Sequence, residues 1–252
     1  ACACPNAINS DYIHISTGNN INVNRDIIAD QLVVESGASL NINTNRLLTI
    51  RNDIGVDLDI IGTLIDNGTA GNGLDLSTNS ATWRLGVNGE IIKTRNSSVN
   101  EYRDNYESGI SNIPETAAWR YRYTGAGVVT ISTVGMFYPT LFFESSDPLG
   151  HDFSGATEVF TGNSSFATVK GNFFIGTTEV GHVIVHSTNS NASPMLVLGN
   201  TTIGGNSSLN RSFFANNLGA NIGTGLDIRG DLIINSNGGL DFDDGVSSTP
   251  DG

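Results

Sequence analysis

The stretch WRYRY, residues 119–123, concentrates side chains that bind ligands in many proteins. Side chains alternate along a strand, so Trp119, Tyr121 and Tyr123 share one face and Arg120 and Arg122 share the other. Exposed aromatic rings on one face stack on sugar rings, and their polar atoms bond sugar hydroxyls. Large aromatic side chains are more often buried than exposed, however. We therefore consider two interpretations, a glycan-binding face and a part of the core, and we favour the core.

A second group of chemically capable residues lies in DFDDG, near the end of the sequence. Asp241 and Asp243 would share the outward face of a strand, and Asp244 follows them. Carboxylates are hard oxygen ligands for calcium, so these three residues are candidate calcium ligands, as are Asp66 and Asp75. Calcium is the one cofactor that the sequence leaves open.

No residue is assigned a catalytic role. Cleavage of a glycosidic bond needs converging carboxylates with an assisting group, and DFDDG has no basic residue beside it. His182 and His186 of HVIVH share one side of a strand, a spacing that can hold a metal, but we expect exposed histidines opposite two buried valines. The alternative function is a polysaccharide lyase or hydrolase, in which a long loop brings Glu101, Glu107 or Glu115 over a groove.

Strands must position these groups, because the composition predicts an all-β chain. Of 252 residues, 38% are hydrophobic and 15% are charged, and runs of Asn, Ser, Thr and Gly separate short apolar stretches without a long helix-period segment. The formal charge of −13 makes nucleic acid and anionic lipid unsuitable partners. No apolar run approaches the ~20 residues that span a bilayer, so we expect no membrane span.

A repeat organises these strands. The pattern apolar, any residue, Gly, polar recurs at spacings of about 25 to 31 residues, as at Gly62, Gly89, Gly199 and Gly230. A unit of this length is too short for a propeller blade and has room for two or three short strands. The sequence therefore predicts a right-handed single-stranded parallel β-helix of about nine rungs.

Period-two alternation within each repeat predicts which side chains face the core of the β-helix. These residues are Leu40, Ile42, Leu58, Ile60, Leu85, Val87, Val169, Phe173, Val197, Ile228 and Leu232. We predict three regions: an N-terminal cap or arm at 1–20, the β-helix at 21–242 with an elaborated rung at about 95–160, and a frayed end or linker at 243–252.

Two features predict interactions between copies of the chain. Cys2 and Cys4 are the only cysteines, and a disulfide across one intervening residue would close a strained ring. Bonding to a part of the protein outside this sequence, bonding to a partner chain and free thiols therefore stay open. The bare ends of a β-helix are unpaired strand edges. We predict self-association through the rod ends or through the two cysteines.

The phrases Gly37-Ala38-Ser39-Leu40 and Gly62-Thr63-Leu64 resemble those repeated in the parallel β-helix regions of secreted surface proteins of Bacteroidetes-type bacteria, many of them exported by the type IX secretion system. The resemblance covers residues 20–92 well and 165–242 loosely. It implies a secreted or cell-surface location and a non-catalytic structural or adhesive role, with glycans or other surface proteins as partners. The opening residues ACACPNA fit a processed secreted chain or a piece of a longer fibre.

Overall fold

The computed structural model divides the chain into two compact units, Ala1–Trp119 and Arg120–Gly252. The described residues are 12–68, 72–76, 78–94, 100–123, 135–145, 151–152, 167–177, 183–187, 195–205, 212–216 and 226–241. Within these, the side chains of 100–101, 123, 145, 151–152, 183–187, 212–216 and 241 are left out of the description. Cys2 and Cys4 lie outside the described residues, as does the predicted linker after residue 242.

Eleven short strands lie in the described part of the first unit before its inserted segment. They are β1 (Ile13–Ile15), β2 (Asn20–Val23), β3 (Ile27–Ala29), β4 (Leu32–Val34), β5 (Ser39–Ile42), β6 (Leu47–Ile50), β7 (Leu58–Ile60), β8 (Thr63–Asp66), β9 (Gly73–Asp75), β10 (Trp83–Leu85) and β11 (Glu90–Lys93). An inserted segment, residues 100–117, follows with helix α1 (Asn100–Asp104) and a 3-10 helix (Ile110–Asn112). Neither helix has the length or apolar character needed to cross a membrane.

Strand β12 (Ala118–Tyr123) crosses the division between the units. The strands of the second unit are β13 (Phe137–Tyr138), β14 (Thr140–Ser145), β15 (His151–Asp152), β16 (Thr168–Val169), β17 (Phe173–Ile175), β18 (Val183–Ser187), β19 (Met195–Val197), β20 (Thr201–Ile203), β21 (Ser212–Asn216), β22 (Leu226–Ile228), β23 (Leu232–Ile234) and β24 (Gly238–Asp241). The prediction of an all-β chain is confirmed.

Within each unit, the paired strands are parallel and three positions apart in the chain. In the first unit the sheets are β1-β4-β7-β10, β2-β5-β8-β11 and β3-β6-β9. In the second unit they are β13-β16-β19-β22, β14-β17-β20-β23 and β15-β18-β21-β24. The register joins residues one repeat apart, for example Leu32 with Leu58 and Leu58 with Trp83. Equivalent residues of successive repeats are therefore neighbours in a sheet.

This register stacks apolar side chains into ladders. Val34, Ile60 and Leu85 are successive partners, and all three are almost completely buried. Full burial of one such side chain contributes about 1.5–3 kcal/mol. Of the residues predicted to face the core, the buried ones are Leu40, Ile42, Leu58, Ile60, Leu85, Val169, Phe173 and Val197.

Three of the predicted core residues are not buried. Val87 is 61% exposed, because β10 ends at Leu85 and Val87 lies in the turn before β11. Leu232 is 40% exposed and Ile228 is half-buried. They lie in β23 and β22, the last strands of their sheets in the described chain, so no following strand there covers them. The prediction was wrong where alternation was extended past a strand end or to a terminal strand.

Asparagine side chains form a ladder on the polar side of the first unit. Asn41 Nδ2 donates to Asn22 Oδ1 at 2.7 Å, and Asn67 Nδ2 donates to Asn41 Oδ1 at 2.6 Å. Asn43 makes the same bond to Asn24. An amide both donates and accepts, so stacked amides satisfy one another from repeat to repeat. The ladder explains why asparagine recurs at the strand ends.

The repeated glycine has a steric cause. A Cβ at Gly62 would lie under 3.0 Å from the carbonyl oxygens of Glu35 and Ala38. A Cβ at Gly89 would clash in the same way with the carbonyl oxygen of Ile60. Only glycine allows the main chains of successive repeats to approach this closely.

Candidate functional site

The inserted segment of the first unit is anchored by an aromatic cluster, which consists of Trp83, Tyr102, Tyr106 and Trp119. Trp83 and Trp119 are fully buried, Tyr102 is fully buried and Tyr106 is 8% exposed. Ring centroids lie 5.4 Å apart for Trp83 and Tyr102, 4.8 Å for Trp83 and Tyr106, and 5.2 Å for Tyr102 and Trp119, all near perpendicular. Edge-to-face pairs of this kind contribute about 0.5–1.5 kcal/mol beyond the area they bury.

Main-chain bonds attach the inserted segment to β10. The Trp83 amide donates to the Asn105 carbonyl at 3.1 Å, and the Glu107 amide donates to the Trp83 carbonyl at 2.8 Å. The Trp83 indole Nε1 donates to the Tyr102 carbonyl at 2.7 Å. Tyr106 therefore continues the parallel pairing of the sheet as an isolated bridge to Trp83. The inserted segment is therefore hydrogen-bonded to the edge of this sheet.

A buried ion pair lies beside this cluster. Asp66 ends β8 and Lys93 ends β11, and the two are direct partners in the parallel register. Lys93 Nζ lies 2.7 Å from Asp66 Oδ2, and their side chains are 1% and 3% exposed. Tyr102, from α1, donates its hydroxyl to the same Oδ2 at 2.9 Å. The Gly68 amide donates to Asp66 Oδ1 at 2.9 Å.

These contacts determine the charge state of Asp66. Burial alone would raise its pKa, but the Lys93 ammonium and the bonds from Lys93, Gly68 and Tyr102 together hold the pKa below its ordinary value. Lys93 Nζ also lies 4.8 Å from the centroid of the Tyr102 ring, in a cation–π contact. The pair is thus an ammonium and a carboxylate in a site closed to water. Removing either partner would leave a buried charge.

The outer face of the same region carries a second charged group. Arg84 of β10 bonds Asp59 of β7, and its guanidinium lies 3.8 Å from the Glu107 carboxylate of the inserted segment. The bond to Asp59 raises the pKa of Arg84. The side chains of Arg84 and Glu107 are 48% and 43% exposed. This group, unlike the buried pair, is accessible to a partner.

WRYRY lies in β12, where two of its three aromatic side chains are buried. Trp119 is fully buried in the first unit, and Tyr121 is 2% exposed in the second. The Tyr121 and Tyr138 hydroxyls are 2.9 Å apart, and burial raises the pKa of Tyr138. A sugar has no access to the rings of Trp119 and Tyr121 in this arrangement. The side chain of Tyr123 lies outside the described residues.

The arginines of WRYRY share one buried carboxylate. Arg120 and Arg122 both bond Glu144 of β14, whose side chain is completely buried. Arg120 also covers the ring of Phe142, with its guanidinium carbon 3.7 Å from the ring centroid. The side chains of Arg120 and Arg122 are 19% and 35% exposed. They neutralise Glu144, which gives them a structural role in the second unit.

The structure describes some of the predicted calcium ligands and leaves others out. The side chain of Asp241 and all of Asp243 and Asp244 lie outside the described residues, so calcium there stays a prediction. Elsewhere, Asp66 is paired with Lys93. Asp75 accepts hydrogen bonds from the Thr49 hydroxyl and from the Thr78 amide. Within the described residues no three His, Cys, Asp or Glu side chains group together as metal ligands would.

The remaining groups named from the sequence are distributed as follows. Glu107 and Glu115 are accessible, and the side chain of Glu101 is outside the description. His182 lies outside the described residues, as does the side chain of His186 in β18. Asp59 and Glu107 both contact Arg84, and within the described residues no third His, Cys, Asp or Glu side chain joins them.

A cavity of about 610 Å³ opens at the first strands of the first unit. Its lining is mainly apolar and includes Ile13, Ile15, Ile21, Val23 and Leu40. These residues belong to β1 and β2, which begin their sheets, and to β5, which follows β2. The cavity therefore lies at the first strands of the described chain.

The sequence interpretation missed the Asp66–Lys93 pair. Lys93 is one of only two lysines in the chain, and it ends the apolar strand EIIK. It follows Asp66 by 27 residues, the same interval that separates Gly62 from Gly89. Aligning the two repeats would have placed opposite charges side by side, and an unusual lysine in an apolar strand was the available signal.

No protein-family model, no curated protein and no solved structure matches this chain. The function must therefore be argued from the fold and from the groups described above.

Proposed function

We propose that the strands of each unit wind as successive turns of a right-handed parallel β-helix, and that the protein is a non-catalytic structural or adhesive segment of a secreted or cell-surface protein. One observation carries the proposal: within each unit the paired strands are parallel and three positions apart in the chain, through consecutive repeats. Pairing at this interval gives three strands per repeat, and each repeat then contacts its neighbours as the turns of a single-stranded β-helix do.

A stack of this kind suits a structural role. Each repeat contacts its neighbours alone, so such folds lengthen by adding repeats and present a long, regular surface. The polar ladder of Asn22, Asn41 and Asn67 satisfies its own amides along that surface. Uncharged amides and hydroxyls both donate and accept hydrogen bonds, which suits contacts with glycans or other surface proteins.

An adhesive contact would be expected beside the inserted segment. The regular repeats offer small polar side chains, whereas Arg84 of β10 and Glu107 of the inserted segment present two long charged side chains side by side. Arginine is enriched among the residues that dominate binding energies. We therefore place the docking surface for a glycan or surface protein at this accessible group rather than on the buried aromatic rings.

The fold is tested by circular dichroism and by an experimental structure of the chain. A β-helix gives a strand spectrum and parallel strand pairing throughout. Substantial helical signal, or an antiparallel sandwich in the structure, would contradict the proposed winding.

The adhesive role is tested by binding the labelled protein to a glycan array and to immobilised surface proteins. Arg84→Gln should weaken binding by about five- to tenfold, as loss of an interface arginine typically costs about 1 kcal/mol or more. Arg51→Gln is the matched control, because Arg51 is 47% exposed and Arg84 is 48% exposed. Equal losses of binding in both variants would show that the docking surface does not lie at Arg84 and Glu107.

The non-catalytic assignment is tested by incubating the protein with a panel of polyuronides and neutral polysaccharides. We expect no new reducing ends and no unsaturated products. Cleavage that is abolished by Glu107→Gln or by Glu115→Gln would replace the proposal with a polysaccharide-active enzyme.

A further inference from the structure

We propose that Lys93 and Asp66 become joined by an intramolecular amide bond between Nζ and Cγ after the chain folds. The two residues end neighbouring parallel strands and are direct register partners, so folding alone brings the amine to the carboxyl group. The 2.7 Å from Nζ to Oδ2 places the nucleophile next to the carbon that it would attack. Fixed proximity of this kind replaces a bimolecular encounter and is worth effective molarities on the order of 10⁵ M or more.

The groups around Asp66 match the needs of the reaction. The Gly68 amide donates to Oδ1 at 2.9 Å, where negative charge develops when the amine adds to Cγ. The Tyr102 hydroxyl lies 2.9 Å from Oδ2, the oxygen that must leave. The two oxygens of one carboxyl group are thus held by different donors. One donor stabilises the oxyanion and the other moves a proton.

The reaction balances with no added reagent. Within the ion pair, one ammonium proton passes from Nζ to Oδ2, which gives a neutral amine and a carboxylic acid. Nζ then forms a bond to Cγ and passes a second proton to Oδ2 through the Tyr102 hydroxyl. The Cγ–Oδ2 bond breaks, one water leaves, and an amide with oxygen Oδ1 and nitrogen Nζ remains.

The surroundings favour this outcome over a lasting ion pair. Both side chains are closed to water, and a buried charge pair gives up much of its attraction as lost hydration. The neutral amide has no such cost, and water is scarce for its hydrolysis. A Cβ at Gly73 would lie under 3.0 Å from Asp66 Oδ1, so glycine there leaves room for the carboxyl group.

The test is the intact mass of the unfolded, purified whole chain. We expect it to be lower than the sequence mass by one water. Trypsin should then leave peptide 52–84 linked to peptide 85–95, because an acylated Lys93 is not cleaved. If protein that has been stored folded and is then unfolded for the measurement still has the full sequence mass, the proposal is overturned and the two residues form an ion pair only.

Two variants locate the bond. Lys93→Met should restore the full sequence mass of that variant, whereas Lys170→Met, which removes the other lysine, should keep the loss of water. Loss of water that persists in Lys93→Met would overturn the assignment. If Lys93→Met does not fold, the linked peptide of the unaltered chain decides by itself.

Tyr102→Phe tests the proton path. In protein isolated as the unfolded chain before the amide forms, Tyr102→Phe should slow the loss of water on refolding by at least about tenfold relative to the unaltered chain, since positioned proton transfer contributes about 10²–10⁴ in rate. An unchanged rate would overturn the role of Tyr102. None of these masses depends on the adhesive function, so the two proposals fail separately.

Discussion

Gly62→Ala is the sharpest test of how the repeats are stacked. Its new methyl group would lie under 3.0 Å from the carbonyl oxygens of Glu35 and Ala38. Both are main-chain atoms of the preceding repeat, so neither can rotate away. Nonbonded heavy atoms attract each other best at about 3.5–4.0 Å. The two main chains must therefore separate by roughly half an ångström or more.

The cost of that separation follows from the bonds it stretches. The Gly62 amide donates to the Val34 carbonyl at 2.9 Å, and the Thr63 amide donates to the Ala38 carbonyl at 3.0 Å. Overpacking costs about 1–3 kcal/mol, and each weakened bond adds up to about 1 kcal/mol. Alanine also restricts the unfolded chain, which offsets about 0.4–1 kcal/mol. We expect a net loss of about 2–4 kcal/mol in the free energy of unfolding.

Tryptophan fluorescence during denaturant unfolding measures this loss. Trp83 and Trp119 are the only tryptophans of the chain, and both are buried in the first unit, which also holds Gly62. Gly86→Ala is the matched control, because its methyl group would lie 3.2 Å from Ile61 Cα. Neither Gly62 nor Gly86 has a positive φ. The control should cost less than about 1 kcal/mol.

The close approach of the main chains at Gly62 predicts different losses in the free energy of unfolding for the two variants. A Gly62→Ala variant within about 0.5 kcal/mol of the unaltered protein would show that the repeats are not in close main-chain contact at this position. A loss in Gly86→Ala as large as that in Gly62→Ala would show that any added methyl group is disruptive, and the repeated glycine would then need another explanation.

Three further predictions concern buried and charged groups. Leu58→Asp should cost about 3 kcal/mol or more in the fluorescence assay, because it puts an unpaired charge into a fully buried ladder; a normal midpoint would contradict that burial. Glu144→Ala should cost about 2 kcal/mol or more, measured by circular dichroism, because its two arginine partners stay partly buried; a neutral effect would mean that they simply turn to solvent. The Thr17 amide bond lowers the pKa of Glu35, so its stabilising effect holds above the ordinary value of 4.5 and is lost as the pH falls through the folded pKa. Glu35→Gln should flatten that acid dependence, and an unchanged slope would exclude the bond.

The sequence predicted the regular part of the fold well. Leu40, Ile42 and Leu58 were assigned to the core because alternation and the repeat agree there, and all three are buried. Alternation holds only within a strand, which is why Val87 was misplaced. The sequence alone does not show where a short strand ends when a glycine-containing turn follows it closely.

The site was harder to predict than the fold. Trp119 could be recognised as a potential anchor, but whether it is covered depends on residues 100–117, whose pattern differs from the repeat. Tyr102 of that segment packs on Trp119 and closes the space above it. Burial of an aromatic residue beside an insertion is thus decided by tertiary contacts that no local pattern records.

Tyr102 links the insertion to the repeats in two ways. Its ring packs against Trp83 and Trp119, and its hydroxyl bonds the Asp66 carboxyl group that Lys93 already neutralises. The register of β8 and β11 brings the charges together, and the insertion then seals them from water. A segment that only decorated the surface would not need a buried charged contact. We infer that the insertion folds as part of the stack, which holds the accessible Arg84 and Glu107 in a fixed position for a partner.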